Sequence, residues 1–131
     1  MIIVDEIVWA AYFTGQQSKH VARLDQALEK EEDLALVADR LTALLEGFRR
    51  EADFRKMRQT LLQLPLVSPS VNARVEAAVL CRKLRSKRVK IERPTSCLVS
   101  QTCVELGAEL LSPHPDFAKI SKHSRLKLCT V

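Results

Sequence analysis

The chain has 131 residues, 47% hydrophobic and 28% charged, with a formal net charge of +5. That length and balance suit one globular domain, residues 1–131, with a full core, and three Gly and five Pro are too few for a disordered or loop-dominated fold. No run reaches the roughly 18 apolar residues of a membrane span, and no charged region precedes the apolar start, so a cytoplasmic protein with no membrane partner is expected.

The chain opens on Met1-Ile-Ile-Val-Asp5. Three β-branched or aliphatic residues in a row suit a strand buried on both faces, as in a parallel sheet. A buried unpaired carboxylate costs several kcal/mol, so Asp5 at the end of such a strand needs a reason. In open α/β sheets, chemistry collects at the carboxyl ends of the strands, which makes Asp5 the first candidate site residue.

Val8 to Phe13 reads as a short helix stopped at Gly15, with Trp9 as a packing anchor beside the strand. Ser18 caps a helix to about Lys30, on the three-and-four spacing of Val21, Leu24, Ala27 and Leu28. Leu34–Val37 is a second strand. Asp39 begins a helix with Leu41, Leu44, Leu45 and Phe48 on one stripe, and Glu51 to Leu64 continues helically with Phe54, Met57, Leu61 and Leu62 inward. Pro65–Pro69 holds a short strand. Ser70 caps a long helix with Ala73, Ala77, Leu80, Cys81 and Leu84 on its buried stripe. Pro94 suits the first turn of the next helix, which is apolar nearly all round and stops at Gly107. Glu109–Ser112 is a strand, Pro113–Lys122 a short helix, and Leu126–Thr130 a last strand. Alternating strands and helices imply an α/β fold with a central parallel sheet flanked by helices.

Cys81, Cys97, Cys103 and Cys129 form no CxxC pair and sit near no His at zinc spacing, so buried reduced thiols are expected. The net charge mildly favours an acidic partner such as RNA. Arg82, Lys83, Arg85, Lys87, Arg88, Lys90 and Arg93 form a cationic run. It reads either as a phosphate-contacting surface, with Arg82, Arg85 and Arg88 as RNA contacts, or as a solvated helix end where cations suit the dipole. No aromatic residue is interleaved for base stacking. His20 and His123 lie among polar residues and are expected at the surface.

Four stretches carry a resemblance: Met1–Asp5 with Val8-Trp9; Leu41-Thr-Ala-Leu-Leu-Glu-Gly-Phe-Arg49; Ser96-Cys-Leu-Val; and Leu110-Leu-Ser-Pro-His-Pro-Asp116-Phe117. Across essentially its whole length the chain resembles the PIN-domain family, specifically VapC-type toxins of bacterial toxin–antitoxin pairs. The resemblance implies a PIN-like fold and a Mg²⁺- or Mn²⁺-dependent endoribonuclease. Carboxylates at the strand ends hold a hard ion, which activates water for attack on a phosphodiester. It also implies a homodimer and a cognate antitoxin protein lying along a groove near the site, where Arg49 or Arg50 would meet an antitoxin carboxylate.

This sequence departs from the family pattern. Asp5 and Asp116 match the first and last acidic positions, the catalytic and metal-binding residues of that reading. Ala43, Ser96 and His114 stand where carboxylates are expected. Carboxylates 5 Å apart repel by roughly 3 kcal/mol at an effective dielectric near 20, so these replacements relieve strain in a metal-free site. Glu6 or His114 would be supplementary ligands, Glu6 only if the chain turns after Asp5, and Glu46 lies one helical turn beyond Ala43. The expectation is an impaired nuclease, with a non-catalytic PIN-fold binding module as the alternative.

Overall fold

The computed structural model describes residues Met1–Val131 throughout. Five parallel strands run in the order β3-β2-β1-β4-β5. They are β1 (Ile2–Val4), β2 (Leu34–Val37), β3 (Leu66–Val67), β4 (Glu109–Leu111) and β5 (Lys127–Leu128). In register, Ile3 faces Ala35 on one side and Leu110 on the other, which makes β1 the central strand.

The apolar runs in β1, β2 and β4 are continuous because both faces of the sheet are covered. Ile3, Ala35, Val37 and Leu110 point into one core, shared with α5 (Val71–Ser86), α6 (Ser96–Leu106) and α7 (Pro115–Ser121). Ile2, Val4, Leu34, Leu36 and Leu111 point into the other, shared with α1 (Glu6–Phe13), α2 (Lys19–Glu29), α3 (Leu41–Glu46) and α4 (Glu51–Leu61). Trp9 is fully buried in the second core and stacks on Phe13, with ring centroids 6.1 Å apart. Cys97, Cys103 and Cys129 are buried thiols; burial pushes Cys97 and Cys103 up to about 12, so they stay protonated and inert.

Local signals set the element ends. The Ser18 and Ser70 hydroxyls accept from the N–H groups of Val21 and Ala73, capping α2 and α5. Gly107 ends α6 in the left-handed region at φ 64°. The structure departs from expectation where two signals compete. The helix expected from Asp39 begins instead as a 3₁₀ turn, Ala38–Arg40, before α3. The helix expected to Leu64 ends at Leu61, leaving Leu62 84% exposed, while Asp53 takes an inward position. Pro94 lies outside α6, which starts at Ser96. The strands at Pro65–Pro69 and Leu126–Thr130 shrink to two residues each, as edge strands do. No helix is long and apolar enough to cross a membrane.

Candidate functional site

Asp5 sits where β1 ends. Its N–H donates to the Leu111 carbonyl at 3.0 Å, the last rung of the β1–β4 ladder. Its carbonyl then accepts the first helical N–H groups of α1, while its side chain makes no capping bond. The carboxylate is thereby free to face the cleft. Because the chain turns into α1 at this point, Glu6 swings to the same side.

A guanidinium fills the space between them. Arg93 places one terminal nitrogen 3.3 Å from both Asp5 oxygens and the other 3.3 Å from Glu6 Oε1. Arg40 closes the other side of Glu6 at 2.6 Å, and the Ser112 hydroxyl donates to Asp5 Oδ2 at 2.8 Å. Arg93 lies over the Phe117 ring, 5.3 Å from its centroid, a cation–π contact that helps hold the plane of the group. Two carboxylates thus meet two arginines, and a buried Asp5 obtains the paired counter-charge that burial demands.

Asp116 serves a different purpose. Its side chain is fully buried at the start of α7, and its oxygens accept from the N–H groups of Glu92 and Arg93, both at 2.9 Å, and from the Ser96 hydroxyl at 2.8 Å. Burial alone would raise this carboxyl. The two N–H groups, Ser96 and the neighbouring His114 outweigh burial and hold it below the usual carboxylate range. Asp116 therefore fixes the backbone of residue 93 while Asp5 receives that residue's side chain.

His114 is the N-cap of α7: its Nδ1 accepts from the Asp116 N–H at 3.1 Å. In the neutral ring this leaves the proton on Nε2, which faces the Glu92 carboxylate at 3.8 Å. Glu92, His114 and Asp116 offer one ligand atom each within 4.8 Å of one another.

Around Asp5 and Glu6 most carboxylate oxygens are already engaged by protein donors, while Glu92, His114 and Asp116 form the group that could hold a metal. Asp5 is committed to Arg93 and Ser112, and Glu6 to Arg40 and Arg93. Asp116 accepts three hydrogen bonds, and His114 Nδ1 is used as a cap. Ala43 has only a methyl group, exposed on α3, and Ser96 is a donor to Asp116. A cation entering here would meet Arg93 where Mg²⁺ requires an open oxygen cage.

Beside this cleft, α1 and α3 leave a groove of about 400 Å³ lined by Glu6, Ile7, Ala10, Ala43, Leu44 and Phe48, among others. Arg49 and Arg50 are exposed beyond its α3 end and do not line it. Arg82, Arg85 and Arg88 are exposed at the end of α5, and Glu46 is exposed without an ion-pair partner. Of the cationic run, only Arg93 turns inward. Its role, and those of Arg40 and Ser112, escape sequence reasoning. The available signal was Pro94, which ends the run and lets residue 93 leave the direction of the preceding turn.

A parallel five-stranded sheet in this order, flanked by helices and with acidic residues where β1 and β4 end, defines an α/β protein of PIN-like fold. A chain from VapBC2 of Rickettsia felis, solved bound to a DNA fragment from their promoter, has the same fold. It matches with a TM-score of 0.78 at 18% identity, over 98% of each chain. The sequence matches no protein-family profile and no curated protein.

Proposed function

We propose that this chain is a VapC-like PIN-fold protein that works by binding and not by cleavage, paired with an antitoxin-like protein. The observation that carries the reading is Arg93, an internal cation at 3.3 Å from Asp5 and from Glu6, in the place where a nuclease of this type would use a metal. The whole-length similarity to a chain of a VapBC assembly supports the pairing. The half-apolar groove between α1 and α3 is the surface for an amphipathic segment of that partner, which needs apolar pockets and no carboxylate cluster. The protein acts as a homodimer through the outward face of α5, where Val71, Val75 and Val79 stand exposed at one-turn spacing.

A second reading, a Mg²⁺- or Mn²⁺-dependent endoribonuclease, is favoured by the retention of Asp5 and Asp116 and by the Glu92–His114–Asp116 group. One experiment separates them. A mixed RNA substrate is incubated with either ion and the unaltered chain, Asp5→Asn, and a chain carrying Ala43→Glu, Ser96→Asp and His114→Asp. The binding reading expects no cleavage by the unaltered chain. Metal-dependent cleavage by the unaltered chain that is lost in Asp5→Asn overturns it.

A further inference from the structure

The four cysteines of this chain are not alike. Cys97, Cys103 and Cys129 are buried, whereas Cys81 is partly exposed on α5. A thiol kept only for packing behaves as a small apolar group and belongs inside. Cys81 instead lies in a stretch with no carboxylate between Glu76 and Glu92, and the Arg85 guanidinium comes to 4.0 Å from its sulfur. Partly exposed sites among cations are where reactive cysteines are found.

The fold sets a second sulfur against it. The Ser70 hydroxyl at the start of α5 donates to Glu105 near the end of α6 at 2.6 Å, so the two helices run antiparallel. Cys81, towards the end of α5, then stands level with Cys97 in the first turn of α6. Ala73, Ala77 and Cys81 follow one another at one-turn spacing along α5. Small side chains let helix backbones approach, and a disulfide asks for Cα atoms only about 4.4–6.8 Å apart. Cys81 packs against the core cluster that holds Ala77, Leu84 and Cys97. Burial first, and then the Cys81 sulfur within hydrogen-bonding reach, push the Cys97 thiol up. The other two thiols answer to different neighbours, Cys103 to Asp5 and Cys129 to Arg23.

The two sulfurs also differ in access. Cys97 is protonated and closed off from water, so it is inert toward an oxidant in solution. It is not closed off from an oxidised sulfur beside it.

We infer that Cys81 and Cys97 form a redox modification site, in which a hydroperoxide oxidises Cys81 and Cys97 then closes a disulfide between α5 and α6. The Cys81 thiolate attacks one oxygen of hydrogen peroxide. The S–O bond forms, the O–O bond breaks, and the departing hydroxide recovers the Cys81 proton as water. The sulfur has then given two electrons to the peroxide. Cys97 attacks that sulfur, the S–S bond forms, the S–O bond breaks, and the hydroxyl leaves as water with the Cys97 proton. Two thiols and one peroxide become one disulfide and two waters.

The position of the bond gives it a consequence at the cleft. It closes residues 81–97 into a loop that contains Arg93. Ser96, next to Cys97, donates to Asp116 at 2.8 Å, and Asp116 accepts from the Arg93 N–H at 2.9 Å. Tying both ends of the segment that delivers Arg93 makes local opening of the segment harder, so oxidation locks the guanidinium between Asp5 and Glu6.

The test treats the folded, fully reduced chain with hydrogen peroxide in the absence of denaturant, blocks the remaining thiols, and maps linkages by non-reducing peptide mass spectrometry. Free thiols should fall from four to two. The linked peptides should join Cys81 to Cys97 within one chain, and dithiothreitol should restore every thiol. Cys97→Ala should stop at the sulfenic acid, trapped on Cys81 by dimedone. Cys81→Ser should lose no thiol over the same time, and Cys129→Ala should form the same linkage as the unaltered chain. The oxidised chain should melt roughly 5 °C or more above the reduced one, as expected when a native loop of this size is closed without strain. No loss of thiols, a linkage through Cys103 or Cys129, a bond between two chains, oxidation of Cys81 beyond the sulfenic acid with no disulfide, or a lower melting temperature after oxidation overturns the inference. None of these outcomes depends on whether the chain binds an antitoxin-like partner or cleaves RNA.

Discussion

At the scale of single residues, two buried aspartates near the strand ends do unlike work. Asp5 is a counter-ion, and Asp116 is a backbone clamp. Removing Arg93 leaves Asp5 and Glu6 facing each other with only Arg40 and Ser112 to answer them. Arg93→Ala should therefore cost about 3 kcal/mol in chemical denaturation. It should also gain a thermal shift with Mn²⁺ that the unaltered chain lacks, since the vacated carboxylates then have open oxygens. A variant as stable as the parent would refute the buried-pair account. Arg93→Lys should not restore the parent, because one ammonium cannot fork between Asp5 and Glu6. Asp116 gives a pH prediction. Its folded carboxyl lies below the usual range, while the unfolded chain takes up its proton near pH 3.9, as an ordinary Asp does. The unfolded state then binds more protons as acid is added. The clamp's contribution is full above about pH 5 and is lost as pH falls through the lowered folded value. Asp116→Asn should remove about 2 kcal/mol at pH 7, the order of a lost charge-assisted hydrogen bond, and should flatten the acid limb of melting temperature against pH. An unchanged acid limb would mean that another carboxylate controls it.

At the scale of elements, the sequence was legible wherever one signal acted alone. The Ser18 and Ser70 caps, the Gly107 stop and the three aliphatic strands stand where spacing and composition place them. It was illegible where long-range geometry decided. Leu62 continues the apolar period of α4, but the helix ends at Leu61 and the chain then turns, so Leu61 and Leu64 pack against the second core while the Leu62 side chain stays in water. Arg93 belongs by sequence to an exposed cationic run, and only the Asp116 clamp, 23 residues away, turns it inward. No local pattern encodes that. Asp5 and Asp116 could be picked out from the sequence as strand-end carboxylates, but the ion pair that engages Asp5 could not. The cap at Gly107 offers a clean elemental test. A Cβ added there meets nothing within 4 Å, so Gly107→Ala measures only the left-handed backbone at φ 64°. It should cost about 1 kcal/mol by denaturant titration, without a change in the slope against denaturant. A null effect would mean that α6 frays at this end.

At the scale of the whole molecule, charge and apolar surface divide the labour. Asp5 and Glu6 are balanced by Arg40 and Arg93, unpaired cations gather at the end of α5, and α5 carries an apolar stripe on its outward face. On α5, Ala73, Ala77, Leu80 and Leu84 are buried against the core, while Val71, Val75 and Val79 are 80%, 54% and 51% exposed. Valine is a poor choice for an exposed helix position on propensity alone, since its χ1 is restricted there. Three of them on one stripe are better explained by contact with a like surface on a second copy, in an isologous pairing. Light scattering coupled to size exclusion should find a dimer at micromolar concentration. Val75→Glu with Val79→Glu should yield a monomer with an unchanged far-ultraviolet circular dichroism spectrum, because neither residue belongs to the core. Charges placed on a two-fold interface meet their own copies, so the effect on dimerisation should be steep. If the double variant still elutes as a dimer, the copies meet elsewhere. If the unaltered chain is a monomer, the stripe has another occupant, and the groove between α1 and α3 must act without a second subunit.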